Sequence, residues 1–373
     1  MRNIGVLFAA VVTSLGATSD ANQSDPAAPP APTPVVVPGV TPAFLREALL
    51  RDMPAHPWNR VATPADARIL SLIAPPPAKP KIVEPMRMVM PGRVEDACQP
   101  GLVDSKKFAA IAVRSDVFGF QTVEMDVAAD ELRHPASMTK LMTLMLTFRA
   151  IERGELKLDE ILTLRPRHLW MERSLKKYVE EAGTTQLTVE QLIRAMATHS
   201  ANDAATVMAE RLAGSEGRFV GMMNDAGAEI GMRNTRFKNA SGLPDPDQVA
   251  TAYDFALLMH HMNKNYPRYV RYLGEHEFLI PKSAEVLAAA GGRKRNLSLS
   301  ERFVRIKGHL ALLGERFNGY AMEWGKTGYI DASGSNVAVQ GRRPDGSTLT
   351  VVVMGGKSGT DRNKCVQTLV SRL

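Results

Sequence analysis

Cysteine is almost missing from this chain of 373 residues: Cys98 and Cys365 are the only two. Two thiols are too few for a cysteine-built zinc site, and no His-Glu-x-x-His run supplies the histidine alternative. There is no Gly-x-Ser-x-Gly either, which removes the strained elbow that presents the nucleophile in one large class of hydrolases. Gly356-Lys357-Ser358 imitates the end of a phosphate-binding loop, but Val351 stands where that loop needs its first glycine. Aromatic residues make up only 6% of the chain. The densest basic stretch, 291–307, carries Arg293, Lys294, Arg295, Arg302, Arg305 and Lys307 against Glu301, without the repeated aromatics on which bases would stack. Nucleic acid is therefore not an expected partner. The stretch reads either as attraction to an anionic polymer or membrane surface, or as a solvated basic loop. Beyond the first 21 residues no apolar run is long enough to span a bilayer.

What is present supports a folded, exported domain. Hydrophobic residues reach 45% and charged ones 23%, with a formal charge of +7, so a sizeable core is expected and global disorder is not. Residues 1–21 open with Arg2, continue as an apolar run from Ile4 to Ala17 and end in small residues, which reads as a signal peptide or an N-terminal anchor. Export to the periplasm or cell envelope follows as the expectation, with a membrane tether through the N-terminus if the leader is kept. Residues 22–100 form a Pro-rich linker with short helical pieces between 41 and 73. Residues 101–373 are the expected catalytic domain. Cys98 at its start and Cys365 near its end are either a disulfide or two inert thiols; spacing alone does not decide.

Within that domain, 108–113 and 121–127 read as strands. Helical periodicity follows at 138–153, 188–198, 202–213, 218–230 and 251–263. Three further strands, 320–328, 336–343 and 347–355, precede a closing helix at 361–373, and Pro344-Asp345-Gly346 marks a hairpin. Strands from both ends with helices between them imply an α+β fold built on an antiparallel sheet.

The chemistry centres on Pro135-Ala136-Ser137-Met138-Thr139-Lys140, which runs into the apolar Leu141 to Phe148. Ser137 and Lys140 lie one helical turn apart, on a helix hydrophobic all round and therefore buried. A buried ammonium loses hydration and with it much of its hold on the proton. A neutral lysine beside a serine can take the hydroxyl proton and create a nucleophile. The same spacing recurs at Ser174 and Lys177, in the charged run Met-Glu-Arg-Ser-Leu-Lys-Lys, where it reads as surface. Ser200-Ala201-Asn202 falls in the break between two helices and is read alone as a cap, with His199 beside it structural. Lys326-Thr327-Gly328 sits on an apparent strand, where a cation and a hydroxyl can grip a carboxylate. Lys357-Ser358-Gly359 is a competitor, read as a loop because only the closing helix follows it.

The three triplets in this order resemble the penicillin-binding proteins. Their surroundings, HPASMTKLMT, HSANDAA, NASGLPDPDQVATAYDFALLM and KTGYIDASGSNVAV, are similar to the low-molecular-mass D-alanyl-D-alanine carboxypeptidases over about 108–373. The resemblance implies the penicillin-binding/serine β-lactamase-like transpeptidase fold, an antiparallel sheet packed by helices with an inserted helical subdomain. It implies removal of the terminal D-alanine from peptidoglycan stem peptides through an acyl-enzyme, with no cofactor and no metal, and covalent inhibition by β-lactams. Ser137 becomes the nucleophile, Lys140 its base, Ser200 a proton relay and Asn202 an orienting amide. Lys326 and Thr327 hold the terminal carboxylate, Gly328 lets the substrate approach, and the backbone N–H groups of Ser137 and Tyr329 form the oxyanion hole. Tyr329-Ile330 depart from the His-Thr or His-Ser of many members, which bears on substrate preference. Three alternatives remain at this level: a DD-endopeptidase cutting crosslinks, a serine β-lactamase with Glu229 as deacylating base, and a non-catalytic wall-binding module.

Overall fold

The computed structural model describes residues 93–117, 119–289 and 297–373. The leader, most of the Pro-rich linker with its helical pieces, and Arg293, Lys294 and Arg295 lie outside the described residues.

The described residues form ten strands: β1 (Ala109–Ser115), β2 (Gln121–Val127), β3 (Ile161–Thr163), β4 (Gln186–Thr188), β5 (Glu277–Pro281), β6 (Phe303–Lys307), β7 (Arg316–Phe317), β8 (Tyr320–Ile330), β9 (Gly334–Arg342) and β10 (Thr348–Gly356). Six make one antiparallel sheet in the order β2-β1-β10-β9-β8-β7, while β3–β4 and β5–β6 are separate two-stranded pairs. The longer helices are α1 (Lys140–Glu152), α2 (Lys176–Ala182), α3 (Val189–Arg194), α4 (Asn202–Ala213), α5 (Glu216–Ile230), α6 (Ala252–Asn265) and α7 (Gly359–Ser371). The expected α+β architecture is the observed one.

β10 is buried at all nine positions, as expected of a strand covered on both faces. Period-two alternation divides its residues and those of β1 between two cores. Ile111, Val113, Val352 and Met354 face the helical cluster with Met145, Phe148 and Phe255. Ala110, Ala112, Val351 and Val353 face the other way, onto Val366, Leu369 and Val370 of α7. The second core is stapled by a disulfide between Cys98 and Cys365, which joins the chain just before β1 to α7 and resolves the two readings of these thiols. α1 is buried from Lys140 through Phe148, the all-round burial that its apolar sequence requires.

Two readings are corrected. Phe303–Lys307 is not part of a basic loop but strand β6, paired with β5; Val304 and Ile306 point inward while Arg305 and Lys307 stay exposed. Arg305 Nε lies 3.5 Å from Glu277, so part of that charge is already answered. The helical run 188–198 is also broken: α3 ends at Arg194 and a π-turn covers Ala195–His199. That turn matters for the site, as π-bulges often do.

Candidate active site

Ser137 lies in a 3-10 turn, Ala136–Thr139, that leads straight into α1. Its backbone is held from three sides. Gly242 takes φ +86, and a Cβ there would fall 2.0 Å from the Ala136 carbonyl oxygen and 2.8 Å from Ser137 N. A Cβ on Gly328 would fall 2.8 Å from the Pro135 oxygen and 3.0 Å from Ser137 N. Only residues without side chains allow both approaches. From β9, fully buried Asn336 donates to the carbonyls of His134 (3.0 Å) and Pro135 (3.4 Å) and accepts from Gly355 N at 3.0 Å. Ala136 itself sits at φ 49, a strained value for a residue with a Cβ, kept in place by these contacts.

Lys140 is wholly buried at the start of α1. Its Nζ lies 3.1 Å from Ser137 Oγ, 2.6 Å from Asn202 Oδ1 and 2.5 Å from the Ser241 carbonyl oxygen. Asn202 Nδ2 donates to the Glu172 carbonyl at 2.7 Å, which fixes Oδ1 toward the lysine. Both Oδ1 and the Ser241 carbonyl can only accept. A neutral amine has two hydrogens and one lone pair, so the two acceptors take the hydrogens and the lone pair is left for the Ser137 hydroxyl. Burial pushes the Lys140 pKa well below its ordinary value, the cations Lys326 and Arg173 push it further, and Asp203 opposes them. Asp203 accepts from Leu175 N (2.6 Å) and Ala204 N (2.9 Å), and burial raises its pKa to about 6.

The π-turn ends on Ser200, which adopts left-handed φ 63, ψ 34. Neither Ser200 nor Asn202 caps α4; Ala201 is the cap residue, with no side-chain bond. The capping reading is thus replaced by a polar one, in which both side chains face lysines. Lys326 Nζ donates to Ser200 Oγ at 3.0 Å and to the Thr327 carbonyl at 2.9 Å. Lys326 is also buried, and desolvation, with Arg173 and Arg362 behind it, lowers its pKa to about 7. Two Lys–Ser pairs therefore share one site, with the Lys326 charge helping to lower the pKa of Lys140. Thr327, Gly328 and Tyr329 continue along β8; the exposed Tyr329 hydroxyl donates to Asp331. His199 packs edge-on against Tyr178, and burial lowers its pKa to about 4. It is a neutral packing residue.

The competing residues fall elsewhere. Ser174 Oγ donates to the Leu169 carbonyl, Lys176 lies over the Trp170 ring at 3.9 Å and Lys177 is exposed. Lys357 is exposed, and Ser358 caps α7 by accepting from Asp361 N. Glu229 is paired with Arg149 at 2.8 Å. Four contributors were not singled out in the sequence: the Ser241 carbonyl, Gly242, Asn336 and Arg173. The first three lie within runs quoted only for resemblance. Arg173, at φ 50 and accepting from Asn202 N at 3.2 Å, sits in the charged run read as plain surface.

Two Lys–Ser pairs, Lys140 with Ser137 and Lys326 with Ser200, and the Asn202 amide bonded to Lys140 form one buried polar cluster. The family model described as D-alanyl-D-alanine carboxypeptidase matches residues 122–358, so this chain belongs to that family. It is 34% identical over 158 residues to the D-alanyl-D-alanine carboxypeptidase DacF of Bacillus subtilis, covering 42% of this chain and 39% of that protein. It is 30% identical over 249 residues to DacD of Salmonella typhimurium, covering 64% and 56%. The chain thus spans roughly two fifths to just over half of the length of these relatives. Among solved structures, penicillin-binding protein D2 of Listeria monocytogenes in its ampicillin-bound form is 25% identical with a TM-score of 0.57, covering 70% of this chain and 94% of that one. The carboxypeptidase DacD of Francisella tularensis, at 23% identity and TM-score 0.60, covers 74% and 71% and supports the fold.

Proposed function

We propose that this protein is a serine-type D-alanyl-D-alanine carboxypeptidase acting on peptidoglycan stem peptides and acylated by β-lactams. The observation that carries this reading is the wholly buried Lys140 Nζ, 3.1 Å from Ser137 Oγ, with two pure acceptors taking its hydrogens. Ser137 attacks the carbonyl of the penultimate D-alanine while Lys140 receives its proton. The N–H groups of Ser137 and Tyr329 face the oxyanion, and such a donor is typically worth about 2.7–4 kcal/mol of barrier. Ser200, bonded to Lys326, passes a proton to the departing amine, and Asn202 orients both lysine and substrate amide. Lys326 and Thr327 hold the terminal carboxylate, and water then releases the acyl group. The leader-like residues 1–21 fit delivery to the periplasm or cell envelope, with a tether if they are retained.

The test is covalent labelling of the purified protein by a fluorescent penicillin. Label on the wild type and on Ser174→Ala, but none on Ser137→Ala, is the expected pattern. A folded wild type that neither labels nor hydrolyses the β-lactam refutes the reading and leaves a wall-binding module.

The two lysines also set a pH profile. Lys140 must be neutral to act, so acylation rises with pH as its proton is lost. Lys326 must be charged to hold a carboxylate, so binding weakens as pH passes about 7. The second-order acylation constant is expected to fall as pH rises through about 7, where Lys326 loses its charge, and to fall at acid pH as Lys140 takes up its proton, since such profiles report the free enzyme's acid and base. A rate that climbs without a descending limb contradicts the role given to Lys326.

A further inference from the structure

Arg173 keeps its backbone at φ 50, where a residue with a Cβ is strained and glycine is not. The chain is held there by α4. Asn202 N donates to the Arg173 carbonyl at 3.2 Å, and Asn202 Nδ2 to the Glu172 carbonyl at 2.7 Å. Two residues on, Leu175 N donates to Asp203 at 2.6 Å. The turn that carries Arg173 is thus tied to the same amide that bonds Lys140, while the Arg173 side chain is exposed. Its guanidinium forms no ion pair and no hydrogen bond among the described residues. Desolvation is the main cause of the lowered pKa values of Lys140, Lys326, His199 and His309, and the Arg173 charge adds to it at all four. The guanidinium therefore overlooks the reacting centre.

An unanswered arginine at the mouth of a cationic site calls for an anion, and its neighbours supply none. Asp203 spends its two oxygens on Leu175 N and Ala204 N. Glu172, next in the chain, is exposed and makes no ion pair with Arg173 among the described residues. On the reading above, the terminal carboxylate of the substrate goes to Lys326 and Thr327. A leaving D-alanine then has only a methyl group left to offer. A second negative group can therefore come only from the acyl side, from the peptide that stays on Ser137. The planar fork of arginine matches a carboxylate with two parallel hydrogen bonds. In a stem peptide the residue before the two D-alanines is a diamino acid, whose side chain ends either in an amine alone or in an amine beside a carboxylate.

We propose that Arg173 forms an anion-binding subsite for the side-chain carboxylate of the diamino acid on the acyl side of the scissile bond, and so selects stem peptides in which that carboxylate is free. The proposal rests on the carboxypeptidase reading of Ser137, Lys140 and Lys326. It adds no chemical step: the subsite holds the acyl chain before the serine attacks and keeps hold of it in the acyl-enzyme.

The test uses the full chain with two pentapeptides that differ only in whether the diamino acid's side-chain carboxylate is free or amidated. The quantity read is the ratio of kcat/KM for D-alanine release from the two, in which any effect of a lost charge on Lys140 and Lys326 cancels. The wild type is expected to favour the free carboxylate about fivefold or more, the return of a bidentate pair at a part-exposed position. Arg173→Gln should bring the ratio to within about twofold of one. Arg173→Lys, which keeps the charge without the fork, should restore part of the preference. Arg173→Gly, which suits φ 50, should lose it while still melting cooperatively. A wild-type ratio near one overturns the proposal, as does a wild-type ratio retained in Arg173→Gln. A wild type that penicillin does not acylate and that trims neither peptide takes down the carboxypeptidase reading, and this one with it.

Discussion

Lys140→Arg is expected to lower Ser137 acylation by about 10³-fold or more, within the range that general bases contribute. Arginine keeps the charge and hydrogen-bond donors but does not give up a proton at working pH. It therefore separates a base from a mere counter-charge. The guanidinium is also bulkier and enters a wholly buried site, so stability must be read alongside activity. Lys140→Met serves as the second variant, neutral and close in length. It leaves Asn202 Oδ1 and the Ser241 carbonyl without their partner, at about 1–3 kcal/mol for such an orphaned group. Both variants should melt cooperatively, and both should fail to take up fluorescent penicillin. An arginine variant that is acylated within tenfold of the wild-type rate removes Lys140 from the role of base.

Gly242→Ala is expected to cost about 10²-fold in acylation, although residue 242 carries no chemistry. A Cβ at φ +86 would fall 2.0 Å from the Ala136 oxygen and 2.8 Å from Ser137 N, so the nucleophile's turn has to move. Displacements of about 1 Å at a reacting group are enough for a loss of that size. Left-handed backbone alone costs an alanine only about 1–2 kcal/mol. Gly119 makes the control, because it has φ +88 and nothing within 4 Å of its would-be Cβ. Gly119→Ala should lower the melting temperature slightly and leave acylation untouched. Equal acylation rates in the two variants would show that the contact with Ala136 is not what positions Ser137.

Ser137, Lys140 and Lys326 stood out in the sequence by side-chain type and local spacing, whereas Ser200 and Asn202, read alone as a cap, were picked out only through the family resemblance. The helices and the strands β8 to β10 were legible because their periods are local too. Ser241 acts through a carbonyl and Gly242 through a missing side chain, so neither leaves a signal in residue type. Asn336 acts across three segments, from β9 onto the carbonyls before Ser137 and the amide of Gly355, and no local pattern shows that reach. β6 hid among charges because only Val304 and Ile306 of its residues point inward, and its partner β5 lies across a long intervening segment. The disulfide needed Cα atoms 4.5 Å apart, a distance that no spacing of 267 residues predicts.

The pairing of β1 with β10, in register from Ala109 opposite Met354, also governs the order in which this molecule can be made. A ribosome produces β1 and β2 first, then the six helices α1 to α6, and β10 only after β8 and β9. Until β10 arrives, β1 carries an open edge, and the sheet face that covers Met145 and Phe148 does not exist. Closing a loop of that length before any contact rewards it makes folding slow. The nascent chain must therefore be kept from pairing with its neighbours until nearly the last residue of the sheet has been added.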